Sequence, residues 1–497
     1  MEPQDRGVYH KSVQSGTWYL MNIVVTKIIG FITFFILARL LDPRDYGVIG
    51  IILLVQSVLE NVSDPSLGLA LTRMKESIES YLDPYWTFEI IRNAVLAVVI
   101  FLTAEPIGMF FHFQGPEITM LRWSGILLLI LPFGNIRQLY LAKDLQFDKI
   151  FFRDIVVQTS FTLAAVCFAF FVQASAWALF FGYAVSYIAS DLMTYLLYRS
   201  RSVLSFRFKR LWDLVGYSKW VYGQGLLDMF MVQFDKIIVG RLLDPASLGL
   251  YSKGKDLAST TTSIMSSIIS KVGFSAFAKL QDQMDKVRTG FLMSIDVLLL
   301  GGLPVTLLLL IEGGSIVNLL LGPKWIGLVV VLKVFAFGNL FFAFVRIVNP
   351  LLSALGRPDV SFKTNLIQTI ISIPLMFIGY TLYGMNGLAG ALAATWIFLL
   401  MYVMLKARPV LNIPVRAFVP AIVSGSLASL AVLFIDFFGR SYVHAHETPA
   451  AIIVWIMVLG LSYFLCLALV SRYFVRGPWE TLRLIWRSLL ARKQSRL

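Results

Sequence analysis

Lys27, Asp228 and Lys333 each lie well inside a long apolar run, as do Arg92 and Asp296. An unpaired charge near the centre of a bilayer costs about 2.5–3.5 kcal/mol on an insertion scale. Two chemistries offset such a cost. Cations along a water-filled path suit charge-assisted contacts with an anionic cargo. The candidates are Lys27, Lys253, Lys255 and Lys333, with Arg122 and Arg346 nearer helix ends. Carboxylates in the same path can take up H+ or Na+. The plainer reading of any one of them is an ion pair between neighbouring helices.

The spacing of the polar residues adds a pattern. Ala38-Arg39-Leu40-Leu41-Asp42-Pro43-Arg44-Asp45-Tyr46-Gly47 returns as Gly240-Arg241-Leu242-Leu243-Asp244-Pro245-Ala246-Ser247-Leu248-Gly249. Trp18 and Trp220 keep the same offset of 202 residues. On that ruler, Asn22, Thr26 and Thr33 align with Gln224, Asp228 and Asp235, each set lying on one helical face. Gln56, Glu60 and Asp64 follow at i, i+4 and i+8, and the counterpart of their helix in the second copy is rich in hydroxyls over Ser259–Ser267. A polar stripe facing lipid is costly, so these faces are expected to look inward between two halves.

The elements that must hold them are membrane helices. Apolar residues make up 58% of the 497 and charged residues 14%, against roughly 25% charged in a soluble protein. Fourteen segments reach membrane-spanning length: 17–39, 45–72, 87–104, 118–142, 152–172, 174–198, 217–240, 246–274, 289–311, 325–346, 360–382, 386–407, 418–438 and 450–472. The repeated motif ends the first of these and the seventh. In each copy the aspartate suits an N-cap and the proline the first helical position. Gly47 and Gly249 would then allow close helix approach. An offset of six helices is even, so the repeats run parallel. The reading is an all-α membrane protein of about fourteen transmembrane helices in two parallel six-helix lobes, 1–198 and 217–407, joined by a linker at 199–216. Two further helices occupy 408–472, and 473–497 is a basic tail.

Basic residues cluster in alternate connections, among them Lys143, Lys149 and Arg153, then Arg207, Lys209 and Arg210, then Lys406, Arg408 and Arg416. This positive-inside bias predicts that both termini are cytoplasmic. It also accounts for the net charge of +14 as topology and contact with anionic lipid, without nucleic acid. Pro478–Leu490 reads as an interfacial helix. Cys167 and Cys466 are packing residues, and His444-x-His446 lacks further ligands, so neither metal nor cofactor is expected. No G-x-x-x-x-G-K-[ST] loop occurs, which argues against ATP hydrolysis by this chain.

Several stretches together resemble a known group. They are Ala38–Gly47, Ser63-Asp64-Pro65-Ser66-Leu67-Gly68, Asp144–Lys149, Phe277–Asp282, Leu321–Trp325 and Ser353–Leu366. In order and spacing they resemble the Wzx-type polysaccharide flippases near the colanic-acid exporter, in the multidrug/oligosaccharidyl-lipid/polysaccharide superfamily. Asp64-Pro65 departs from the usual pattern of Asp followed by Gly or an apolar residue, and is expected to alter the end of helix 2. The resemblance implies MATE-like lobes and an inner-membrane location in a bacterium. The implied activity is flipping of an undecaprenyl-pyrophosphate-linked oligosaccharide through an alternately opening cavity, for a polymerase and export machinery to use. A drug or cation antiporter of the superfamily is the alternative; it would concentrate acids in one lobe and carry fewer cations. A membrane polymerase or glycosyltransferase would need a large outer domain, whereas the connections here run to roughly twenty residues at most.

Overall fold

A computed structural model describes residues 3–470 apart from Lys75, Arg199, Arg201, His446 and Glu447, together with Arg483. The expected interfacial helix at Pro478–Leu490, nearly all of the basic tail and the second histidine of the His444-x-His446 pair therefore lie outside the described residues.

The chain is helical throughout, with no strand among the described residues. First come Pro3–Leu40 (α1), Pro43–Ser63 (α2), Leu67–Arg73 (α3), Glu79–Phe110 (α4), Gly115–Trp123 (α5), Gly125–Ile130 (α6), Leu139–Lys143 (α7), Phe147–Phe171 (α8) and Ala176–Leu197 (α9). Then follow Lys209–Leu242 (α10), Pro245–Lys279 (α11), Met284–Leu320 (α12), Val329–Ala354 (α13), Pro358–Leu411 (α14), Val419–Ala445 (α15) and Pro449–Val470 (α16). Eleven helical stretches are long and apolar enough to cross a membrane. One of them, α14, bends at Tyr383 and Gly384, where Gly384 takes a left-handed φ of 56°, and so forms two arms, each of membrane-spanning length. Helices α10 and α11 have the length but are too polar to meet the apolar test. Counting them, the described chain holds the fourteen membrane-length segments that its sequence predicts.

Boundaries differ where proline or glycine intervenes. The expected span 45–72 is broken: α2 stops at Ser63, and the chain turns through Asp64, Pro65 and Ser66 before α3. Proline disfavours helix in the residue before it and removes a donor, so the break falls at the Asp64-Pro65 departure. The expected 118–142 is likewise interrupted, near Pro132 and Gly134. Helix α10 begins at Lys209, inside the stretch 199–216 read as a linker.

Two compact units result, Met1–Ser252 and Lys253–Leu497. In the first, α1 lies on α8 through Trp18 and Phe151, with ring centroids 5.3 Å apart. Helix α8 in turn meets α9 through Phe161 and Tyr183 at 4.8 Å. Leu67, Leu71, Ile78, Leu82, Ile136 and Leu211 belong to one buried core cluster of this unit. In the second, α13 stacks on the second arm of α14 through Phe342 and Trp396 at 4.9 Å. Leu307, Ile311, Ala428, Val432, Leu459 and Tyr463 join α12, α15 and α16. Large apolar side chains such as Leu102 and Phe171 are left exposed, as is expected of a surface solvated by lipid.

Candidate functional site

The duplicated motif builds two alike helix junctions. Pro43 and Pro245 open α2 and α11, where a missing N–H costs nothing. Asp244 Oδ1 accepts the Ser247 N–H at 2.7 Å, the bond of an N-cap. In the first copy Asp45 does more. Its Oδ2 accepts the Asp42 N–H at 2.9 Å, and its Oδ1 accepts the Ala176 N–H at 2.8 Å, tying the starts of α2 and α9 together.

The two junctions then meet each other. A Cβ on Gly47 would overlap the Pro245 carbonyl, and a Cβ on Gly249 would overlap the Pro43 carbonyl. The contact is reciprocal, as a two-fold relation between the copies requires, and only glycine at both places admits it. Side chains brace it. Arg44 donates through Nε and Nη2 to Glu117 at 2.7 and 3.1 Å. Arg241 Nη1 donates to the Phe110 carbonyl at 3.2 Å, and its guanidinium lies 4.9 Å from the Phe110 ring centroid. Gly240 packs against Phe111.

The polar face of α1 is met by α8. Asn22 Nδ2 donates to Asp154 Oδ2 at 2.8 Å, and the hydroxyls of Thr33 and Thr162 lie 2.6 Å apart. Thr26 returns its hydroxyl to the Asn22 carbonyl. Asn22 Nδ2 and the Thr33 hydroxyl thus find partners inside the first unit, while Asn22 Oδ1 is buried with no hydrogen-bond partner. On α10 the aligned residues part company. Asp235 is buried and accepts the Tyr251 hydroxyl at 3.1 Å, the geometry of a structural acid. Asp228 is exposed. Gln224 lies in α10, with its side chain outside the described set.

Down α2, Gln56 is buried and donates Nε2 to the Ser124 carbonyl at 2.8 Å. Asp64 Oδ1 accepts the Ser66 N–H at 2.8 Å and lies 3.5 Å from Arg92. Arg92 also donates to Glu89 Oε2 at 2.6 Å, and Glu60 lies within electrostatic reach of the same guanidinium. Arg92 is therefore an ion-pair residue balancing three carboxylates, and it is only 13% exposed. Removing one partner of a buried pair costs about 3–5 kcal/mol. Arg92→Ala is accordingly expected to lower the melting temperature in detergent sharply, with Arg92→Lys intermediate; equal melting of all three forms would contradict the pairing.

The six candidate cations divide. Arg122 pairs with Glu105 at 3.1 Å, Lys253 lies 3.9 Å from Asp256, and Lys255 Nζ sits 5.8 Å from the Phe335 ring centroid. Lys27, Lys333 and Arg346 have no acidic partner among the described residues. Lys27 and Arg346 are exposed and Lys333 is half-buried. Arg346 lies 5.6 Å from the Phe342 ring centroid, and its carbonyl accepts the Ser270 hydroxyl at 2.7 Å. Each sits within a membrane-length helix. Sequence reasoning missed Glu89, Asp154 and Tyr251, the partners that separate structural polar residues from open ones.

Fourteen membrane-length segments, a duplicated junction and unpaired cations within the helices define a multi-pass membrane protein of the transporter class. Residues 36–331 match the family of polysaccharide biosynthesis proteins, and the chain belongs to it. It is 23% identical over 441 residues to lipopolysaccharide biosynthesis protein WzxC of Escherichia coli (strain K12), covering 86% of this chain and 87% of that one. Among solved structures it resembles the lipid II flippase MurJ in its inward closed conformation, with a TM-score of 0.68 at 15% identity, covering 92% of this chain and 99% of that one. An inward-facing MATE transporter of the MOP superfamily follows at a TM-score of 0.60 and 12% identity, covering 78% and 94%. The all-α, MATE-like reading and the resemblance to the polysaccharide flippases are both borne out.

Proposed function

We propose that the protein flips an undecaprenyl-pyrophosphate-linked oligosaccharide repeat unit from the inner to the outer leaflet of the bacterial inner membrane, for polysaccharide biosynthesis. The carrying observation is the set Lys27, Lys333 and Arg346, cations in membrane helices with no acid beside them. An anionic head group in transit offsets their cost, whereas a cationic drug would add to it. The family and the fold of a lipid II flippase support the same reading. Pyrophosphate and sugars cannot cross hydrocarbon unaided, while the lipid tail stays in the bilayer. The six-helix halves 1–198 and 217–407 are the moving parts, with both termini cytoplasmic. On that orientation the reciprocal Gly47 and Gly249 junction lies at the outer face and parts when that face opens. A polymerase and export machinery then take the product.

Cells lacking the protein are expected to accumulate the lipid-linked unit with its sugars on the cytoplasmic side, and the wild-type gene to restore surface polymer. Accumulation on the outer side would point to a polymerase instead.

Coupling to H+ or Na+ falls to Asp228, an exposed carboxylate of α10. Asp228→Asn is expected to make flipping insensitive to ionophores that collapse the proton or sodium gradient. Full ionophore sensitivity in the variant would remove Asp228 from that role.

A further inference from the structure

The second unit holds a cavity of about 340 Å3 that the flipping reading does not use. It is lined by Phe291 of α12, by Met401, Leu405 and Arg408 on the last turns of α14, and by Ile413 and Phe418 beyond them. Its walls are apolar except for one guanidinium. Met401 and Leu405 are largely exposed, so the cavity opens toward the surface that lipid solvates. Arg408 is exposed and has no acidic partner among the described residues. Around the same helix end stand Lys406 and Arg416, both exposed. Arg288 closes the end itself: its Nε donates to the Leu411 carbonyl at 2.6 Å, and its Nη1 donates to Asp285 at 2.9 Å. The last carbonyl of α14 is therefore occupied by Arg288.

An apolar slot with an unpaired arginine at its mouth matches an acyl chain ending in a phosphate. Arginine binds phosphate bidentately and stays charged. On the orientation predicted by the basic residues, this end of α14 meets the cytoplasmic leaflet, where anionic lipids concentrate and basic pockets between helices recruit them. The volume lies near the lower limit for a small-molecule site, about 300–1,000 Å3. It admits part of one acyl chain and leaves no room for a polyprenyl tail.

We propose that this cavity binds an anionic glycerophospholipid of the inner leaflet, with its phosphate on Arg408 and an acyl chain between Phe291, Leu405 and Phe418. The site is independent of the flippase reading, since it concerns a resident lipid and not the cargo. The full-length protein in detergent would be titrated with phosphatidylglycerol and, separately, phosphatidylcholine, following melting temperature and bound lipid by native mass spectrometry. Wild type is expected to bind phosphatidylglycerol at least tenfold more tightly than phosphatidylcholine. Arg408→Ala should lose that preference and Arg408→Lys retain part of it. Arg357→Ala, at an exposed arginine paired with Asp359, should bind as wild type does. Equal affinity for the two lipids, an unchanged preference in Arg408→Ala, or displacement of phosphatidylglycerol by equimolar undecaprenyl phosphate would each overturn the assignment.

Discussion

Gly249→Leu is expected to abolish surface polysaccharide while leaving the protein in the membrane. Even a single Cβ at this position would overlap the Pro43 carbonyl, so a leucine there is incompatible with the observed junction. If the junction must close in every transport cycle, the variant is held with that face parted. A membrane-impermeant maleimide should then label a reporter at Ala246→Cys several times faster in the Gly249→Leu background than in wild type. Gly47→Leu should behave alike, because it strikes the Pro245 carbonyl of the same contact. The double variant should be no worse than either single one, since neighbours sharing one contact are not additive. Wild-type polymer, or unchanged labelling, would show that transport does not depend on parting and closing this junction. A permanently packed junction would be revealed by loss of both variants from the membrane.

The second large effect concerns the cations. A hydrogen bond to a charged group contributes about 1.5–3 kcal/mol. Each of Lys27→Ala, Lys333→Ala and Arg346→Ala is therefore expected to cut flipping roughly ten- to a hundredfold, at about 1.4 kcal/mol per factor of ten. Arg122→Ala should change it less than about twofold, because Arg122 already pairs with Glu105 in an exposed setting worth little. The contrast within one set of basic residues is the informative part. Equal losses at Arg122 and Lys333 would mean that the cations act through general charge and not as head-group contacts. Full activity in the Lys27→Ala, Lys333→Ala double variant would remove both from the path.

Local chemistry made part of this legible from residues alone. Asp42-Pro43 and Asp244-Pro245 announce helix starts, because proline suits the first helical position and an aspartate before it can cap the helix; the duplication then supplies a ruler. Gly47 and Gly249 were readable as sites of close approach for the same reason. That they touch each other's prolines was not, since it requires knowing which helices cross. The same limit applies to the polar stripe. Asn22 and Thr33 read as a face between the two halves, but the partners found, Asp154 and Thr162, lie well over a hundred residues away on another helix of the same unit. Burial separates Asp235, held by Tyr251, from Asp228 seven residues earlier, although spacing alone treats them as equals. The break after Ser63 was half-visible in Asp64-Pro65, whereas the use of Asp64 as a partner for Arg92 depends on how α4 lies beside it.

The account rests on passage of a pyrophosphate-linked sugar, and that passage can be measured in purified vesicles. Proteoliposomes would carry a labelled undecaprenyl-pyrophosphate oligosaccharide in their inner leaflet only, and a membrane-impermeant reagent would report its arrival outside. Wild-type protein is predicted to expose the label at a rate proportional to protein content, and the Lys27→Ala, Lys333→Ala double variant to expose it no faster than protein-free vesicles. Label that stays protected in wild-type vesicles, or that emerges equally fast with the double variant, would contradict the central claim.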